Sequence, residues 1–211
     1  MTNFIPIFPL ALVVFPNEKV NLHIFEERYK QLINDCAENG KPFCVLPVIG
    51  EKITEFGTSV QVAEIRKRYP DGKMDITIEG QRICKVLEII KSVPDKLYSG
   101  AIAHFSHNSL KPATQATRPV LNYVKDLLNL LSIHKPEEPS ILSTSYQLAR
   151  LCGLNLQQEY ELLQLLNESH RMEYLRRHLA SVLPVIREME SLKTRIQMNG
   201  HFRSLKSWGI D

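Results

Sequence analysis

The sequence predicts an α+β protein, with a β-rich first half that carries one inserted helix and a second half built from helices. Three observations support this. Between residues 43 and 105 the apolar residues fall in short runs or alternate with polar ones, as in strands. From residue 118 to residue 198 they recur three or four positions apart, as in helices. Between the two lies Ser106 to Arg118, a polar stretch containing Pro112. The expected organisation is a β-rich lobe over residues 1–106, a linker over 107–117, a helical bundle over 118–198 and a loose tail over 199–211 with one aromatic, Trp208.

Phe4 to Phe15 is apolar but broken by Pro6 and Pro9, which suits an edge strand or a bulge because proline has no N–H to give to a ladder. A helix is expected from Glu26, where Tyr29, Leu32, Ile33, Cys36 and Ala37 share one face. Glu26 and Glu27 favour its N-terminal dipole, and Gly40 favours its stop. Phe43 to Ile49 reads as a short buried strand, and Gly57 to Tyr69 as a longer one whose alternation slips near Ala63, as at a bulge. Pro70-Asp71-Gly72-Lys73 is a hairpin turn. Met74, Ile76 and Ile78 then alternate with polar residues, Gly80 interrupts, and Arg82 to Ile90 and Tyr98 to Phe105 are further strands. Short strands, a hairpin and one helix imply a compact barrel or a strongly bent sheet.

In the second half Val120, Val124, Leu127, Leu128 and Leu131 form one stripe, entered through Pro119. The loop Lys135 to Pro139 leads to a second helix with Ser140 as its cap and Gly153 as its end. Asn155 and Gln158 have capping-box spacing and open a third helix through Leu166. The last helix is long, with Met172, Leu175, Leu179, Val182, Ile186, Met189, Leu192 and Ile196 three or four apart. Pro184 lies inside this stripe and is expected to kink or break the helix. The stripe is either core throughout or, beyond Pro184, a surface for a partner or a second copy.

A chain of 211 residues with 44% hydrophobic and 23% charged residues can bury a core without a disulfide or a metal. No apolar run nears the ~20 residues of a membrane span, and the N-terminus lacks the basic region and unbroken apolar core of a secretory leader. A cytoplasmic protein is therefore expected. Cys36, Cys44, Cys84 and Cys152 form no CxxC pair and sit among apolar neighbours, as buried structural thiols do. Residues 1–106 carry 13 basic and 13 acidic residues and residues 107–211 carry 13 and 10, so the whole net charge of +3 lies in the second half. That surplus is small for a nucleic-acid binder, whose footprint is a dense basic stripe.

Motifs of catalysis do not assemble. Gly40-Lys41 has Asp35 where the first glycine of a phosphate-binding loop belongs and Pro42 after it, and Gly72-Lys73 has Lys67 and Met74. No serine stands in a Gly-x-Ser-x-Gly elbow, and no HExxH helix is present. His104 and His107 are an H-x-x-H pair at a strand end, without the further Cys or carboxylate a metal site needs. Asp71 and Asp75 read as turn chemistry. Arg66-Lys67-Arg68 and Arg171 with Arg176-Arg177 read as solvated faces, and strand alternation sends Lys67 away from its two neighbours. A hydrolase would require a clustered pocket of perturbed groups that no spacing marks out.

The segment from Ile5 to Tyr29 carries the most specific strings, Ile-Pro-Ile-Phe-Pro-Leu, then Val-Val-Phe-Pro-Asn, then Leu22-His23-Ile24-Phe25-Glu26 followed by Arg28-Tyr29. It resembles the opening of the N-terminal, substrate-binding domain of the Lon protease family, also found free-standing and in cereblon-like proteins. Asp71-Gly72-Lys73 leading through Glu79-Gly80 to Arg82 is similar to a second recurring stretch of that family, and the resemblance spans roughly residues 4 to 195. Asn17 stands where the family usually has glycine, Asn21 and Glu27 where it often has proline, and Tyr174 near an expected arginine. The resemblance implies a pseudo-barrel related to the PUA fold followed by a helical bundle. It also implies recognition of protein substrates, since the ATPase and Ser–Lys protease modules of the full enzyme have no counterpart in these residues.

The expected function is thus a non-catalytic binding module for exposed apolar protein segments, placed near the junction of barrel and bundle. Its partner would be a protein or an unfolded polypeptide, with no membrane, cofactor or metal. Self-association through the helix beyond Pro184 is a further expectation, and binding of structured RNA is the alternative. Phe15, Phe25, Tyr29 and Tyr98 are the candidate protein-binding residues. Core packing is the plainer role for Phe25 and Tyr29, and His23, facing away from Leu22, reads as a buried, hydrogen-bonded imidazole.

Overall fold

The computed structural model describes residues 2–109, 111, 114–133 and 139–206. Among them run β1 (Thr2–Leu10), β2 (Lys19–Ile24), α1 (Glu27–Asn39), β3 (Phe43–Ile49), β4 (Lys52–Ile53), β5 (Phe56–Arg68), β6 (Met74–Ile90) and β7 (Gly100–Phe105). There follow α2 (Thr114–Leu130), α3 (Ser145–Ala149), α4 (Leu156–Gln164) and α5 (Glu168–Lys206). The chain forms two compact units, residues 1–110 with 154–167 and residues 111–153 with 168–211. The helical half is therefore not one piece: α4 packs against β3 and β5 in the first unit, where the Tyr160 hydroxyl accepts the Phe56 N–H at 3.4 Å.

In the first unit the strand order is β1-β7-β6-β5-β3-β4, and β1 also pairs with β3, so the sheet closes on itself into the expected pseudo-barrel. The closing strand changes partner midway. Thr2 to Pro6 runs antiparallel to β7, and Ile7 to Leu10 runs parallel to β3. Each half has a ladder on one side, which is how Pro6 and Pro9 fit a strand that closes a barrel. The edge strand expected from those prolines is thus two half-edges in one strand.

The bulge expected at Ala63 is present as a register shift between Val62 and Glu64. The turn after β5 is also as expected: Gly72 has φ +78°, and the Tyr69 N–H donates to the Lys73 carbonyl at 2.9 Å. Gly80 does not interrupt, because β6 runs through it as one strand of 17 residues. It is required there for a different reason. A Cβ at Gly80 would lie 2.1 Å from the Phe15 carbonyl oxygen, where residues 13–18 cross the strand. That crossing is tied by Asn17 N–H to the Gly80 carbonyl at 2.8 Å and Gly80 N–H to the Glu18 carbonyl at 2.9 Å. Asn17 has φ +64°, a conformation that glycine or asparagine accepts most readily.

One face of the closed sheet buries Ile5, Ile7, Cys44, Leu46, Cys84, Val86, Ala101 and Ala103. Cys44 and Cys84 are paired sulfur to sulfur although β5 lies between their strands. Their Cα atoms are 7.5 Å apart, closer than the roughly 9.6 Å of alternate strands in a flat sheet, so this face is the concave interior. Four separate thiols were expected; curvature brings two of the sulfurs together, while Cys36 and Cys152 are free and buried. The opposite face is covered by α1, whose Tyr29, Leu32, Ile33 and Cys36 pack with Phe8, Phe43, Val60, Ile76 and Ile78. As expected, Gly40 ends α1 in the left-handed region, at φ +59°.

In the second unit α2 begins at Thr114, so part of the expected linker is helical and Pro119 lies inside the helix. Thr144 rather than Ser140 caps the short α3, through a capping box with Gln147. The capping box expected of Asn155 and Gln158 is present at the start of α4 in the first unit. α5 is continuous through Pro184 to Lys206, where a loose tail was expected from residue 199. Pro184 and Ala180 are both exposed, so the carbonyl deprived of its partner can bond water and the helix need not break. Trp208 and most of the Lys135–Pro139 loop lie outside the described residues.

Arg171, expected on a solvated basic face, is 0% exposed. It pairs with Glu168, donates to the Ser145 hydroxyl at 2.8 Å and lies 4.4 Å from the centre of the Tyr146 ring. Glu168 in turn accepts the Ser145 N–H and hydroxyl, each at 2.7 Å. Every group in the cluster has partners, the condition under which a buried ion pair is tolerable.

Two stability outcomes follow from these contacts. Gly80→Ala should lower unfolding free energy by about 2–4 kcal/mol in urea titration, because the methyl meets rigid backbone. Glu168→Ala should cost about 3–5 kcal/mol by leaving Arg171 buried and unpaired, and adding Arg171→Met should recover part of that loss.

Candidate protein-binding surface

The four residues singled out from sequence separate sharply by exposure. Phe15 is 1% exposed, and Tyr29 and Tyr98 are each 6% exposed. Tyr29 stacks on Phe8 with ring centroids 4.0 Å apart, and the Tyr98 hydroxyl donates to Asp35 Oδ2 at 2.8 Å. Phe25, for which core packing was the plainer expectation, is instead 59% exposed. The reason is strand parity. Along β2, Val20, Leu22 and Ile24 turn toward the core while Lys19, Asn21 and His23 turn out, and Phe25 continues the outward row.

His23 is likewise half-exposed rather than buried, and it joins Phe25 to a polar cluster drawn from three strands and a turn. Its Nδ1 lies 2.6 Å from Asp75 Oδ1 on β6, directly across the β2–β6 ladder. The Tyr69 hydroxyl, at the end of β5, donates to Asp75 Oδ2 at 2.7 Å. The His23 ring lies 6.3 Å from Phe25 and 5.9 Å from Tyr69, the latter edge-on. The Lys67 ammonium sits 4.5 Å from the centre of the Tyr69 ring. Asp75 is therefore a cross-strand partner and not a turn residue; the turn role belongs to Asp71, which accepts the Lys73 N–H at 3.2 Å. The His23 hydrogen bond, and then that of Tyr69, hold the Asp75 carboxyl below its ordinary value. Sequence reading missed this cluster because His23 and Asp75 are 52 positions apart; only the β2–β6 register brings them together.

The cluster has an imidazole held by a carboxylate, but among the described residues no serine, threonine or cysteine shares its hydrogen bonds or ring contacts to serve as nucleophile. Burial pushes the Cys36 thiol up to about 11 and the Cys152 thiol up to about 12, which keeps both protonated. Its composition suits contact: an aromatic side chain in water, a polar flank and an edge strand. β2 pairs with β6 on one side and with no other strand among the described residues.

Elsewhere, His107 lines a cavity of about 320 Å³ with Gln81, Arg82, Phe105, Ser106 and Asn108. No group of three or more His, Cys, Asp or Glu able to hold a metal occurs among the described residues. No described helix is long and apolar enough to cross a membrane. The basic cluster singled out in the second half is engaged by acids: Arg176 and Arg177 share Glu173, both at 2.7 Å, and Arg171 is buried against Glu168.

Residues 5–186 match the family described as the ATP-dependent protease La (LON) substrate-binding domain. Two solved structures share the fold. A Lon N-terminal domain protein from Xanthomonas campestris is similar with a TM-score of 0.60 and 24% identity, over 82% of this chain and 96% of that one. The N-terminal domain of a Mycobacterium avium complex Lon protease is similar with a TM-score of 0.60 and 14% identity, over 84% of this chain and 98% of that one.

The Asp75 carboxyl should titrate by NMR below the ordinary aspartate value of about 4, and His23→Ala should move it back up further than Tyr69→Phe does. Because the folded-state value is the depressed one, the stability this cluster contributes is in place above about pH 4 and fades as pH falls through the lower folded-state value.

Proposed function

This chain belongs to the ATP-dependent protease La (LON) substrate-binding domain family, and from that premise we propose that it recognises exposed apolar segments of cytoplasmic proteins, binding them without chemistry of its own. The family match supports protein substrates as the general class of partner. The observation that carries the finer reading is Phe25. Within the signature Leu22 to Tyr29, Ile24 and Tyr29 are buried and Leu22 is partly so, whereas Phe25 is 59% exposed. A large aromatic left in water adds nothing to the core and is available to dock against apolar groups of another chain.

The free edge of β2 supports the same reading. An extended segment laid along it would gain main-chain hydrogen bonds that are indifferent to its sequence, while Phe25 takes up an apolar side chain. Such a division suits a domain that must accept many different unfolded chains. Structured RNA, the alternative expected from sequence, draws no support from cations already engaged by Glu168 and Glu173.

Binding is tested by fluorescence anisotropy with one labelled protein in its native form and as a permanently unfolded variant. The unfolded form should bind preferentially, and Phe25→Ala should weaken it about tenfold or more, with thermal unfolding changed by less than about 0.5 kcal/mol. Equal affinity for the folded and unfolded forms would remove the proposal. Preference retained in full by the Phe25 variant would move the contact to another surface.

A further inference from the structure

α5 carries two apolar rows on different faces of the helix, one before Pro184 and one after it. Before the proline, Met172, Leu175 and Leu179 are each 0% exposed and Leu183 is 3% exposed. After it, Val185 is 56%, Met189 62%, Leu192 49% and Ile196 70% exposed. These four residues are spaced four, three and four apart, the a/d pattern of a helix that packs along another helix. Two charges flank the row, Glu188 and Arg195, both exposed. Neither has an ion-pair partner among the described residues, whereas neighbouring Arg187 reaches Asp126 at 2.9 Å and Lys193 reaches Glu190 at 3.3 Å.

We infer that this segment of α5 pairs with the same segment of a second copy, antiparallel about a twofold axis. The register follows from the spacing. Setting Met189 against Leu192 of the second copy also sets Val185 against Ile196, and the twofold repeats both layers. Glu188 then lies between the same two layers, and on the same side, as Arg195 of the second copy. Symmetry makes this opposite-charge contact twice, so each unpaired charge of one copy meets the unpaired charge of the other. A parallel pairing is poorer: it directs Glu188 at Lys193, which Glu190 already holds, and leaves Arg195 without an acid. The overlap from Val185 to Ile196 is only about 17 Å long. Four apolar side chains per copy over that length fall short of the ~1,200 Å² of standard stable interfaces, so the association is weak and concentration-dependent. The inference is independent of what the Phe25 surface binds.

Sedimentation equilibrium of the whole chain tests it, from about 5 μM to about 1 mM. The expected result is a reversible monomer–dimer equilibrium with a dissociation constant on the order of 10–500 μM. Leu192→Asp should abolish it. Glu188→Arg and Arg195→Glu should each weaken it about tenfold, through two like-charge contacts per dimer, and an equimolar mixture of the two variants should associate again as a heterodimer. The double variant Glu188→Arg/Arg195→Glu should also recover the original constant, an outcome that parallel pairing does not give. All of these positions are exposed, so unchanged circular dichroism confirms that folding is not the cause. A chain that stays monomeric at every concentration overturns the inference, since the row is then covered from within or by another protein. Dimers that survive Leu192→Asp, or that the charge exchange fails to restore, overturn it equally.

Discussion

The structure depends first on the way β1 closes the sheet. A strand flanked on both sides must supply N–H groups to two ladders, and a strand containing Pro6 and Pro9 cannot do so along its whole length. The chain resolves this by giving β7 the first half of the strand and β3 the second. Closure then fixes the curvature that brings the Cys44 and Cys84 sulfurs together over the glycine at position 57, whose absent Cβ would fall 2.3 Å from the Val45 carbonyl oxygen. The other close approach, at Gly80, locks residues 13–18 over β6 and so sets where β2 begins.

From that point strand parity decides which side chains of β2 reach solvent. β2 must bury Val20, Leu22 and Ile24 to complete the core beside α1, and with period two this obliges Asn21, His23 and Phe25 to face outward. The exposure of Phe25 is thus a consequence of core packing one residue away. The hydrogen bonds from His23 and Tyr69 to Asp75 hold the surroundings of that aromatic ring in place without burying it. For the binding role proposed for Phe25, a polar frame already held by hydrogen bonds would keep the entropic cost low, because few side chains must be ordered when a partner arrives.

The second unit applies a different economy. Its interior accepts a complete ion pair, Arg171 with Glu168, where an apolar pair would also fill the space. The Ser145 hydroxyl and N–H use the remaining capacity of Glu168 and tie the start of α3 to α5. A cluster of this kind stabilises only one arrangement of α3 on α5, since any slip leaves a charge buried without a partner. It leaves the far end of α5 free of such constraints, and there the same helical periodicity that forms the core upstream is turned to solvent.

Much of the chain was legible from sequence because its signals are local. Periodicity, the Asp71-Gly72 turn, the Gly40 stop, the Asn155–Gln158 box and the slip at Ala63 each depend on residues within a few positions of one another. The family strings likewise lie in two short stretches, Ile5 to Tyr29 and Asp71 to Arg82, so the resemblance could be read from sequence. What tertiary structure alone decided were the contacts between distant positions. Sequence counted Phe25 among the binding candidates but made core packing its plainer role because large aromatics are usually buried, and read Asp75 as part of a turn because it lies beside one. It read Gly80 as a break and Arg171 as solvated for similarly local reasons. Register across β2–β6, closure through β1 and the meeting of α3 with α5 reversed each of these, because burial and pairing depend on which distant segment lies opposite, and no local pattern records that.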